Sequence, residues 1–96
     1  MTLPAVIYQA PYEKKQVERL KRYCRELDGT ELIVLDTAQP EGVKYPEITT
    51  WAYKQACKAM KGKAFIWIES DAPPLVAGWR EALTKEYKRV GKPFLL

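Results

Sequence analysis

The chain has 96 residues, a formal net charge of +4, two cysteines and no histidine. That length bounds it to one domain with a modest core. The 47% hydrophobic content, with three Trp and six Tyr, excludes a disordered chain. The absence of histidine excludes a Ser-His-Asp set, and two thiols without histidine do not make a zinc site.

Ala5 to Ala10 is an apolar, β-branched run ended by Pro11, which predicts a buried strand. From Tyr12 to Leu27 the period changes. Val17, Leu20, Cys24 and Leu27 recur at spacings of three and four, so a helix with one apolar face is expected there. Its lysines and arginines fall mainly off that stripe and read as a solvated face rather than a nucleic-acid contact. Asp28-Gly29 ends it, because Gly29 takes positive φ without strain.

Glu31 to Asp36 predicts a second strand. Its four consecutive apolar residues imply cover on both faces. A Pro- and Gly-bearing loop follows to Pro46. A second helix is expected from Ile48 to Lys61, capped by Thr49 or Thr50, with Ala52, Ala56, Ala59 and Met60 inward and Gly62 at its end. Trp51 and Tyr53 at its head are expected to pack rather than to stack on a base.

Ala64 to Ile68 predicts a third strand, with Phe65 and Trp67 in the core, running into Glu69-Ser70-Asp71. Pro73-Pro74 breaks the chain. A third helix is expected from Ala77 to Val90, with Trp79, Leu83, Glu86 or Tyr87, and Val90 inward and Gly91 closing it. Pro93 to Leu96 reads as a final short strand.

The order β-α-β-α-β-α-(β) predicts an α/β domain over residues 1–96: a short, mostly parallel sheet in three layers. Ligands of such sheets sit outside the carboxyl ends of the strands. Those ends are Gln9 to Tyr12, Asp36-Thr37 and Glu69 to Asp71, the polar breaks in apolar runs. Two carboxylates two residues apart at a strand end suit Mg²⁺ or Mn²⁺ shared with phosphates, and on a regular strand both would point one way. The structural alternative is that Asp71 caps the turn before Pro73-Pro74.

These segments, Ala5 to Tyr12, Leu32 to Asp36 and Phe65 to Asp71, together resemble the nucleotide half of glycosyltransferases of the GT-A fold. The stretch from Trp67 through Asp71 and Pro73, then Gly78-Trp79, Glu86-Tyr87 and Gly91-Lys92-Pro93-Phe94, looks closest to glycosyltransferase-like proteins of bacteria and phages. The resemblance implies a domain binding a nucleoside diphosphate sugar. In that reading Pro11, Tyr12 and Asp36 border the base and ribose, and Glu69 and Asp71 hold Mn²⁺ or Mg²⁺ and the diphosphate. A complete enzyme of this kind continues into an acceptor-binding half with a base, for which this chain offers no candidate. Transfer of the sugar is therefore left open. The competing expectation is an inactive nucleotide-binding or protein-interaction module that keeps only the fold.

The N-terminus lacks a basic region followed by an apolar run, and no run reaches the ~20 residues that span a bilayer. A cytoplasmic protein with reduced Cys24 and Cys57 is expected. With only three helices to cover the sheet, an apolar patch near Leu75, Val76 and Phe94 to Leu96 is expected. It implies a homo-oligomer or a partner protein.

Overall fold

The computed structural model describes residues 2–74 and 76–92. In chain order these form β1 (Ala5–Tyr8), a 3₁₀ turn (Pro11–Glu13), α1 (Lys14–Asp28), β2 (Ile33–Leu35), α2 (Glu47–Ala59), β3 (Ile66–Trp67) and α3 (Trp79–Val90). The fold is a small α/β domain. The expected final strand at Pro93–Leu96 lies outside the described residues. Among the described residues no helix is long and apolar enough to cross a membrane.

The sheet is parallel, in the order β2-β1-β3. Val6 pairs with Ile33 on one side and with Trp67 on the other. β1 is therefore the central strand, and all four of its residues are buried. Alternate side chains of β1 enter different cores. Ala5 and Ile7 join Val17, Leu20 and Cys24 of α1, Leu32, Ile68, and Trp79 of α3. Tyr8 joins Ala10 and Ala52 of α2, with Leu35, Trp51 and Trp67 packed against them. Thus α1 and α3 cover one face of the sheet and α2 the other.

The stripe expected on α1 is observed: Val17, Leu20 and Cys24 are buried and Leu27 packs against them. The helix starts later than expected because Pro11 opens a separate 3₁₀ turn. It stops at Gly29, whose φ of 76° lets its N–H reach the Arg25 carbonyl at 2.9 Å.

Three expectations need correction. The second helix has Pro46, not Thr49 or Thr50, at its N-cap, and no side chain caps it. Its inner stripe is shorter than expected, since Ala52 and Ala56 are buried but Ala59 is exposed and Met60 only half-buried. β2 is not covered on both faces, because it is an edge strand and Ile33 stays 40% exposed. On α3, Trp79 is buried as expected. The other fully buried residue is Thr84, whose hydroxyl donates to the Arg80 carbonyl and accepts the Leu3 N–H. Pairing of its hydroxyl makes that burial tolerable.

The segment joining β3 to α3 is held from α1. The Tyr23 hydroxyl donates to the Pro74 carbonyl at 2.6 Å, and Asp28 accepts the Gly78 N–H at 2.9 Å. Gly78 has φ 82°, a left-handed conformation that a side chain would strain.

Candidate functional site

Because the strands are parallel, their carboxyl ends meet at one edge of the sheet. At the end of β1, Gln9 donates its N–H to the Leu35 carbonyl at 2.7 Å, which extends the β1–β2 ladder past Tyr8. The Tyr8 hydroxyl then donates to the Thr37 carbonyl at 2.6 Å and pins the start of the loop after β2. Burial pushes the Tyr8 phenol above its ordinary pKa. The Gln39 side chain pulls the other way, and the charges of Asp36 and Glu13 push it further up. Asp36 and Glu13 therefore both act on the Tyr8 hydroxyl.

At the end of β3, Ile68 donates to the Val6 carbonyl at 3.0 Å, and the chain then turns. The Ala72 N–H closes that turn on the Glu69 carbonyl at 3.2 Å. Glu69 and Asp71 therefore sit on a turn, not on a regular strand, and the same-side geometry expected for a strand does not apply. Both side chains are exposed.

The residue that joins these parts is Glu13. One carboxylate oxygen accepts the Ala10 N–H at 3.2 Å, and the other accepts the Ser70 hydroxyl at 2.7 Å. The first contact is the carboxylate half of a capping box at the head of the 3₁₀ turn. The second crosses the edge of the sheet and fixes Ser70, between Glu69 and Asp71, beside the end of β1. Sequence reasoning missed Glu13. The signal available was its spacing, three residues after the break at Ala10.

The five expected site residues thus lie at the same end of the sheet, on three separate connections. Pro11 and Tyr12 are exposed on the 3₁₀ turn, Tyr12 by 82%. Asp36 is exposed after β2. Among the described residues, no three acidic or cysteine side chains gather to hold a metal ion. The pair in the turn still fits a hard cation chemically. Mg²⁺ takes one or two protein carboxylates and completes its shell with phosphate and water. Neither Glu69 nor Asp71 is tied to a protein cation among the described residues.

The larger of two concavities lies elsewhere. A groove of about 1280 Å³ runs along the outer edge of β3 and reaches the candidate site only at Glu69 and Ala72. A smaller hollow of about 360 Å³ lies between Val43 and the head of α2. Phe65 and Trp67, expected in the core, are half-buried walls of the large groove. Trp51 meets Tyr8 edge-on at 5.4 Å, and Tyr53, though 46% exposed, lies 5.9 Å from Phe65 and 5.8 Å from Trp67, so both rings pack as expected. Comparison with protein families, with curated proteins and with solved structures finds no match to this chain.

Proposed function

We propose that the carboxyl edge of the sheet binds a nucleoside diphosphate sugar, as in the nucleotide half of a GT-A glycosyltransferase. Pro11, Tyr12 and Asp36 border the base and ribose. Asp71, with Glu69, holds Mn²⁺ or Mg²⁺ against the diphosphate. The ion supplies positive charge to the phosphate oxygens. The chain's own residues orient it.

The observation that carries this reading is the Glu13–Ser70 hydrogen bond, which holds the acidic turn next to the β1 turn bearing Pro11 and Tyr12. The order β2-β1-β3 supports it as well, since ligands of parallel sheets lie beyond the carboxyl ends. The proposal is for binding. Transfer by inversion needs a base on the acceptor hydroxyl, and no residue is assigned that role. A cytoplasmic setting accords with two unpaired thiols.

Titration calorimetry with uridine and guanosine diphosphates, with and without Mn²⁺, tests the reading. Metal-dependent heat that disappears in Asp71→Ala is the expected result. Heats unchanged in that variant would remove the site.

A further inference from the structure

The outer edge of β3 is built for pairing. Ile66 and Ile68 donate their N–H groups inward, to the Pro4 and Val6 carbonyls at 2.8 and 3.0 Å. By strand alternation, the N–H and C=O of Phe65 and Trp67 face outward. They have no hydrogen-bond partner among the described residues. Exposed strand edges are ordinarily blunted by lysine, proline or a bulge. From Ala64 to Ile68 there is neither charge nor proline. Instead the edge lies in the groove of about 1280 Å³, walled by Tyr53 and Cys57 of α2 and by Leu83 and Tyr87 of α3.

Charge selects the occupant. The extended segment is flanked by Lys63, which closes the turn after α2 on the Met60 carbonyl, and by Glu69, which opens the turn after β3, both exposed. We propose that a second copy of this chain pairs antiparallel along β3, with the two-fold axis at Ile66. In that register the turn residue Lys63 comes next to the partner's Glu69 just beyond each end of the paired segment, as a side-chain ion pair and not a rung of the ladder, and the same pair recurs across the axis. Phe65 stands opposite the partner's Trp67, and their outward amides satisfy each other. The Phe65 and Trp67 side chains face α2, where Tyr53 already lies 5.9 Å from Phe65 and 5.8 Å from Trp67. Pairing therefore joins two aromatic clusters on one face of a continuous sheet. The other edge offers no such match. β2 lies between Glu31 and Asp36, so antiparallel copies would oppose acid to acid. Asp71, beyond the paired segment, stays outside the contact. The proposal does not rest on nucleotide binding.

Light scattering of the full chain across micromolar concentrations, without nucleotide or metal, is the test. The expected result is twice the chain mass. Lys63→Glu and Glu69→Lys each replace attraction by repulsion at the turns that flank both ends of the paired segment. Each should weaken the dimer by about tenfold or more. The double variant, Lys63→Glu with Glu69→Lys, reverses both charges and should restore it. Because both side chains are exposed, recovery in the double variant separates pairing from any effect on folding. A monomer at every concentration would overturn the proposal, whether its Trp67 amide exchanges freely or is protected by another segment of the same chain. So would a dimer indifferent to the charge reversals.

Discussion

The Glu13 carboxylate and the Ser70 hydroxyl, 57 positions apart in sequence, meet at 2.7 Å across the carboxyl edge of the sheet. The other Glu13 oxygen holds the Ala10 N–H at 3.2 Å. One side chain thus sets the turn after β1 and the turn after β3 at once. Glu13→Ala removes both bonds and leaves two donors to find water. A loss of about 1–2 kcal/mol is expected, read as a lower urea midpoint with an unchanged slope. Glu13→Gln keeps one acceptor oxygen and should lose less. Equal stability of all three proteins would show that the contact does not hold the edge.

Asp28 ties the end of α1 to the start of α3. Its carboxyl is held below the ordinary carboxylate pKa by the Thr30 hydroxyl above all, against desolvation as the next-largest effect, with the Gly78 and Thr30 N–H groups and the Arg80 charge adding to the lowering. A carboxyl with a depressed folded pKa stabilises the fold fully above its unfolded value of about 3.9, and that stability is lost as the pH falls through the folded value. The side chain is largely exposed, so the effect is at most about 1 kcal/mol. Asp28→Asn should unfold at a lower temperature than the parent at pH 7, and the gap should narrow towards pH 2. A gap that widens in acid would contradict the assignment.

Local order was readable from the chain where burial repeats with a period. Val17, Leu20 and Cys24 announce the inner face of α1 because each turn of a helix returns to the same side. The run Leu32 to Leu35 was misleading, because an apolar stretch does not distinguish a central strand from an edge strand. That distinction belongs to strand order, and Ile33 is exposed because β2 has a neighbour on one side only. Likewise the three carboxyl ends were located in sequence, but the turn at Glu69–Ala72 and the Glu13–Ser70 bond were not. No periodicity relates residues brought together by folding. The head of α2 was misread because Thr49 and Thr50 are good capping residues by type, whereas Pro46 places the helix start before them.

Tyr8 is the polar member of the core beneath α2. Tyr8→Phe removes the hydroxyl that pins the Thr37 carbonyl and should cost about 1 kcal/mol. Burial, with the charges of Asp36 and Glu13, raises the folded phenol above its ordinary value. Such a group favours the fold below about pH 10, and the benefit is lost as the pH rises through the folded pKa. The Tyr53 phenol is raised as well, by the neighbouring Cys57 thiol and by burial, so in alkaline spectrophotometric titration near 295 nm Tyr8→Phe should remove one late-ionising tyrosine and leave the one at Tyr53. A titration curve identical in parent and variant would contradict the assignment.

The two thiols should differ in reactivity, and the difference bears on the β3 edge. Cys24 is fully buried in the core between α1 and the sheet, and its thiol is pushed up first by burial and then by the Asp28 charge. Thiolate, the reactive form, is therefore scarce there. Cys57 is half-buried on α2, across the sheet, and lines the groove beside β3. The two belong to helices on opposite faces, so a disulfide between them requires unfolding. Native alkylation followed by mass spectrometry should modify Cys57 first and Cys24 only under denaturing conditions. If copies pair along β3, the groove closes over Cys57, so its labelling should slow as protein concentration rises while Cys24 stays unlabelled throughout. Lys63→Glu should move that concentration dependence at Cys57 to about tenfold higher protein or beyond. A rate at Cys57 independent of concentration in the parent protein would count against the paired edge, whatever the mass measured in solution.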